Sequence, residues 1–96
     1  MTAPPERIRR RMLFTGFVQG VGFRYWAIRA AAAFEVTGYV RNLPDGSVEA
    51  VIEGPAAAVD RFGELLRQGP PAGRVLAVDA VDEAPRAEFD SFGVRY

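Results

Sequence analysis

The chain has 96 residues, 49% hydrophobic and 25% charged, with twelve acids balancing twelve bases. That length supports one packed core and not two, and zero net charge gives no electrostatic reason to expect a nucleic-acid or anionic-membrane partner. Cys, His and Lys are all absent, which excludes disulfides, thiol nucleophiles, Cys- or His-based metal sites, an imidazole base, Schiff-base chemistry and a Walker-type lysine.

In chain order, residues 1–6 read as a frayed, Pro-containing tail ahead of one domain over 7–96. Ile8, Met12, Phe14 and Val18 share one parity, with Arg10 as the exception. That alternation predicts a first strand over 7–18. Gln19-Gly20-Val21-Gly22 breaks it. Phe23, Trp26, Ala27, Ala30 and Phe34 then fall on one helical face, and Thr37-Gly38 resets the chain. Tyr39–Leu43 is a short strand, Pro44-Asp45-Gly46 is turn chemistry, and Ser47–Glu53 alternates again. Together they predict a hairpin. Gly54-Pro55 opens a second helix striped by Val59, Phe62 and Leu66, with Leu65 beside them, and Gly69-Pro70-Pro71 stops it. Arg74–Val81 reads as a fourth strand, 82–88 as a loop around Pro85, and Phe89–Tyr96 as a last strand. The order β-α-β-β-α-β predicts a ferredoxin-like α+β sandwich, a mostly antiparallel sheet with two helices on one face.

Phe14, Phe23, Trp26, Phe34 and Phe62 are the expected aromatic core. Tyr25 and Tyr39 are expected to be partly exposed. Arg7, Arg9, Arg10 and Arg11 cluster near the start, and Asp79, Asp82, Glu83, Glu88 and Asp90 near the end. Pairing across neighbouring strands is the expectation for both clusters. No apolar run approaches the ~20 residues that span a bilayer, and Met1-Thr2-Ala3-Pro4-Pro5 lacks a signal-peptide apolar region. A cytoplasmic monomer, with no membrane or nucleic-acid partner, is expected.

The segment Gly16-Phe17-Val18-Gln19-Gly20-Val21-Gly22-Phe23-Arg24 sits where the first strand becomes the first helix. A helix N-terminus carries unpaired N–H groups and partial positive charge. Glycines let successive amides curl toward one point, which makes an anion nest. Arg24 adds a full charge and a fork of donors matched to phosphate. Asn42 ends the second strand. A β-α-β crossover puts that end on the same sheet edge as the 19–24 loop. Its carboxamide both donates and accepts hydrogen bonds. As bare residues these leave alternatives open: the glycine turn could merely connect elements, Arg24 could be a surface arginine, and Asn42 could cap the hairpin.

Val18-Gln19-Gly20-Val21-Gly22-Phe23-Arg24, then Gly38-Tyr39-Val40-Arg41-Asn42 and Asp45-Gly46-Ser47-Val48-Glu49, resemble the acylphosphatase family. The resemblance runs to the closing Phe92-Gly93-Val94-Arg95-Tyr96. It implies a metal-free, cofactor-free hydrolase of small acyl phosphates. It implies phosphate binding by Arg24 and by backbone amides of Gln19, Gly20, Val21, Gly22 and Phe23, with the attacking water positioned by Asn42. Leu43 stands where many members have a small hydroxyl residue, and the Ala-rich 30–36 stretch departs from the usual helix end. The alternatives are a non-catalytic phosphate- or acyl-phosphate-binding module, as at the start of a larger hydrogenase-maturation protein, and an RNA-binding sheet of the same topology. The free-standing enzyme is preferred over the first because the sequence carries no zinc-finger cysteines. Glu49 and Glu53 argue against the RNA-binding sheet.

Overall fold

The computed structural model describes residues 6–96. It contains β1 (Arg7–Phe17), α1 (Phe23–Ala31), β2 (Thr37–Asn42), β3 (Val48–Pro55), α2 (Ala56–Gln68), β4 (Arg74–Glu83) and β5 (Phe92–Val94). One sheet takes the order β4-β1-β3-β2-β5. β1 is antiparallel to β3 and β4, and β2 is antiparallel to β3. The short β5 joins β2 in parallel. This is the ferredoxin-like α+β sandwich, with β5 added at the β2 edge. Of the tail expected over residues 1–6, only Glu6 lies among the described residues. Its carbonyl accepts a bond from the Ala56 amide at 2.9 Å.

Alternation decides which face each strand buries. Met12 and Phe14 of β1, Val40 of β2, and Val48, Ala50 and Ile52 of β3 form one apolar face. Phe23 and Ala27 of α1 and Val59, Phe62 and Leu66 of α2 pack on it. Each large buried side chain contributes about 1.5–3 kcal/mol by the apolar area it removes from water. α2 follows its signals: Pro55 stands at the N-cap, and Gly69 ends the helix with φ 73°.

α1 is shorter than its stripe suggests. It ends at Ala31, and the Ala33 and Phe34 amides bond back to Ala30 and Ala31 in tight three-residue turns. Alanine propensity would extend the helix, but packing overrides it. Phe34 therefore lies beyond the helix, its ring 5.4 Å from that of Phe62. Trp26 and Phe34 are only partly buried, at the margin of the core rather than inside it. Phe89 also falls outside the last strand, which is confined to Phe92–Val94.

The other sheet face carries no helix, and it is filled by charge. Arg9 of β1 is 3% exposed and Glu53 of β3 is 1% exposed. They are register partners. Arg9 lies 3.8 Å from Glu53, 3.7 Å from Glu83 and 2.7 Å from Glu88. The Glu88 contact is short but poorly aligned, so it is an ion pair by proximity rather than a directed hydrogen bond. The segment between β4 and β5 crosses this face because Glu53 captures it. Its two carboxylate oxygens accept the Arg86 and Ala87 amides, each at 2.7 Å. Ala87 takes φ 52°, a conformation that turns successive amides toward one anion.

Tyr39 lies on this covered face. Contrary to the exposure expected for it, it is 7% exposed. Its hydroxyl donates to Glu49 at 3.0 Å, and the Arg95 guanidinium sits 4.0 Å from its ring centroid. Burial, followed by the Glu49 bond, pushes the Tyr39 phenol above its ordinary value. The basic start and acidic end of the chain meet across β1 and β4. Arg10 also bonds Asp82 at 2.7 Å and reaches Asp60 of α2 at 3.0 Å.

Glu53→Ala is expected to cost about 3 kcal/mol in urea unfolding, the low end for breaking a buried ion pair because Arg9 keeps Glu88. Glu53→Gln, which retains an acceptor, should cost less. Separately, the Arg10 hydrogen bond holds the Asp82 carboxyl below its ordinary value of 3.8. A carboxyl lowered on folding contributes stability present above its unfolded value and lost as pH falls through the folded one. The Tm advantage of wild type over Asp82→Asn should therefore shrink between pH 7 and about pH 3. The underlying stability difference should stay within about 1 kcal/mol, because Asp82 is half exposed and screened.

Candidate active site

The site begins where β1 ends. A register slip between Thr15 and Gly16 interrupts the β1–β4 ladder, which resumes with Gly16 opposite Val75 and Phe17 opposite Arg74, and Val18 anchors the turn in the core. Gly20 and Gly22 then take φ 74° and 79°. A Cβ at either would meet nothing within 4 Å. Glycine is thus needed here for its left-handed backbone, which L side chains rarely adopt, and not for space.

Gly22 caps α1 without a side-chain acceptor, and the first turn holds no acid. The first helical bond is Trp26 N to Gly22 O at 3.0 Å. By helix geometry the amides ahead of Trp26 lack intrahelical acceptors. They present donors and partial positive charge at the loop.

Asn42 is the last residue of β2 and pairs with Val48. The turn after it is braced internally. Asp45 Oδ1 accepts the Ser47 amide at 3.0 Å and the Ser47 hydroxyl. Those bonds, the hydroxyl's first, hold the Asp45 carboxyl below its usual range. Leu43 works here through its backbone: its amide bonds Ser47 O at 2.9 Å, and its carbonyl accepts Gly46 N at 3.1 Å. The side chain at 43, where the sequence departs from the hydroxyl residue, is therefore not the part that shapes the turn.

Gln19 joins the two halves. Its Nε2 donates to Leu43 O at 2.7 Å and to Ser47 O at 2.8 Å. Both amide hydrogens are used, so the side chain straps the glycine loop to the hairpin. Between them lies a pocket of about 130 Å³ lined by Val18, Gly20, Gly22, Phe23, Arg24, Tyr25 and Asn42. Arg24 and Asn42 thus reach one cavity. Gly20, Gly22 and Phe23 line it as well. Gln19 and Val21 do not: Gln19 is turned to the hairpin, and Val21 packs toward the core.

Two wider depressions, each about 350 Å³, flank the chain around Ser91. Size favours them, but neither combines a guanidinium with a helix N-terminus, so the smaller cavity is the chemically organised one. Among the described residues no carboxylate comes within ion-pairing distance of Arg24. Its guanidinium carbon instead lies 5.3 Å from the Tyr96 ring centroid.

A family model described as Acylphosphatase matches residues 10–94. The chain belongs to the acylphosphatase family. An acylphosphatase of Moorella thermoacetica is 49% identical over 81 residues, covering 84% of this chain and 87% of that relative. An acylphosphatase of Syntrophotalea carbinolica is 44% identical over 89 residues, 93% of this chain and 97% of its own. The crystal structure of acylphosphatase from Bacillus subtilis aligns with a TM-score of 0.88 at 32% identity, covering 93% of this chain and 99% of that one.

Within this acylphosphatase fold the sequence reading missed two contributors. Tyr25 reads from the sequence only as a partly exposed side chain, yet it lines the pocket. Its place beside Arg24 in the first helical turn was the available signal. Tyr96 gave no local signal, because it reaches Arg24 through the β2–β5 pairing.

Gln19→Ala should cost about 1 kcal/mol. The loss is modest because Leu43 O and Ser47 O keep their backbone donors. Chemical denaturation checks the stability. The same variant should weaken competitive inhibition by inorganic phosphate, since the loop loses its tie to the turn that follows Asn42.

Proposed function

We propose that this acylphosphatase-family chain hydrolyses the carboxyl–phosphate bond of small acyl phosphates, giving a carboxylate and inorganic phosphate. The observation that carries the reading is the shared pocket. One guanidinium and one carboxamide line the same small cavity at the open N-terminus of α1.

The chemistry suits that donor set. A carboxylate is a good leaving group, so positioning and charge stabilisation can carry the reaction. In this proposal Arg24 and the loop amides of Gly20, Gly22 and Phe23, the residues of the 19–23 loop that line the pocket, hold the phosphoryl oxygens and stabilise charge as it redistributes. Asn42 holds a water in line with the phosphorus–oxygen bond to the acyl group. The water oxygen bonds to phosphorus, that bond breaks, and its electron pair leaves with the carboxylate. A phosphoryl oxygen of the substrate takes the water's proton, since no lining side chain is a base at neutral pH. No carboxylate, imidazole or thiol lines the pocket to ligate a cation, and the proposed reaction uses no metal or cofactor.

The remaining expectations belong to the same proposal: a cytoplasmic monomer acting on a small molecule, without a nucleic-acid partner. The face on which a sheet of this topology would stack RNA bases is occupied here by Arg9, Glu53 and the segment that Glu53 captures. Among the described residues, no helix is long and apolar enough to cross a membrane.

Phosphate release from benzoyl phosphate tests the reading. Asn42→Ala should lower kcat by about 10²-fold or more with little change in KM, as for a lost oxyanion donor. Arg24→Ala should abolish both turnover and inhibition by phosphate. A near-normal kcat in Asn42→Ala overturns the water-positioning role. Wild-type protein that binds phosphate without turnover is a binding module instead.

A further inference from the structure

The Arg24 guanidinium has a neighbour that the hydrolytic scheme does not use. Its central carbon lies 5.3 Å from the ring centroid of Tyr96, the last residue of the chain. The strand pairing places it there. β5 runs beside β2 with Gly38 opposite Phe92, Tyr39 opposite Gly93 and Val40 opposite Val94. The ladder continues as Arg95 N donates to Val40 O at 2.9 Å. The same offset brings Tyr96 level with Asn42.

We propose that Tyr96 is a positioning residue for Arg24, holding the guanidinium at the pocket through a cation–π contact that leaves its N–H donors free for a phosphoryl group. A carboxylate in this place would also hold Arg24. It would do so by occupying the donors that an anion needs and by repelling that anion. An aromatic ring attracts the cation without offering strong acceptors. Tyr25, in the first turn of α1 next to Arg24, is the neighbour that raises the Tyr96 phenol above its ordinary value. With 89% of its surface exposed, Tyr96 supports no core packing. A change there therefore reports on the site rather than on folding.

This inference rests on the acyl-phosphate reading, and the test separates the two. Inorganic phosphate affinity is measured by calorimetry for wild type, Tyr96→Leu and Tyr96→Phe. Turnover of acetyl phosphate and benzoyl phosphate is measured alongside. Tyr96→Leu should weaken phosphate binding about two- to fivefold, the loss expected for one exposed cation–π contact. It should raise KM by the same factor for both substrates, with kcat little changed. Tyr96→Phe, which keeps the ring, should stay near wild type in affinity and KM. The proposal is overturned if phosphate affinity in Tyr96→Leu is unchanged, or if Tyr96→Phe loses as much as Tyr96→Leu. It is also overturned if only benzoyl phosphate suffers, since that marks an acyl-group contact instead. Wild-type protein that releases no phosphate from either substrate sinks the hydrolytic reading, while the three phosphate affinities still decide the role of Tyr96.

Discussion

The Gln19 carboxamide is the contact on which the site depends. In this topology β3 lies between β1 and β2. The loop leaving β1 and the hairpin leaving β2 therefore come to the same rim, but not beside each other. Something must cross the start of β3 to hold them in register. Gln19 does so by donating to Leu43 O and Ser47 O, on either side of that turn. Both acceptors of the tie are backbone carbonyls, so the two bonds themselves draw on no side chain of the turn. Asp45 stiffens the turn from within. The pocket shared by Arg24 and Asn42 follows from these fixed edges.

The two faces of the sheet are stabilised in different ways. One buries hydrocarbon under two helices. The other buries ions. Desolvating Arg9 and Glu53 costs several kcal/mol per charge, which only close counter-charges and hydrogen bonds offset. Arg9 has three carboxylates within 4.0 Å, and Glu53 has two backbone donors. The arrangement has a consequence for the site. By fastening the segment after β4 across the open face, Glu53 helps set where β5 begins. β5 then carries Tyr96 to Arg24.

The pocket itself is sparsely charged. A single cation, a helix N-terminus and a carboxamide line it, and no acid lies in the first turn of α1. Such a site attracts an anion without needing to displace an internal one. The contact between Arg24 and Tyr96 follows the same logic, because the ring restrains the cation without neutralising it.

Much of this was legible in the chain. Alternation in β1 and β3, the stripe Val59-Phe62-Leu66 and the Pro and Gly punctuation determined the α+β order, because local periodicity reports directly on which side of an element faces the core. The glycine loop before Arg24 and the carboxamide of Asn42 were also visible, as residue types suited to an anion. Tertiary structure alone decided the rest. Arg9 and Tyr39 are buried because a distant segment crosses over them, and no local pattern encodes such a cover. α1 stops at Ala31 because Phe34 packs on Phe62, a long-range contact that outweighs alanine propensity. Gln19 faces the hairpin rather than the pocket, and Tyr96 stands beside Arg24, because strand pairing joins residues far apart in sequence. The sequence determined the periods and the chemistry of the side chains. Only the pairing of strands decided which of those side chains meet.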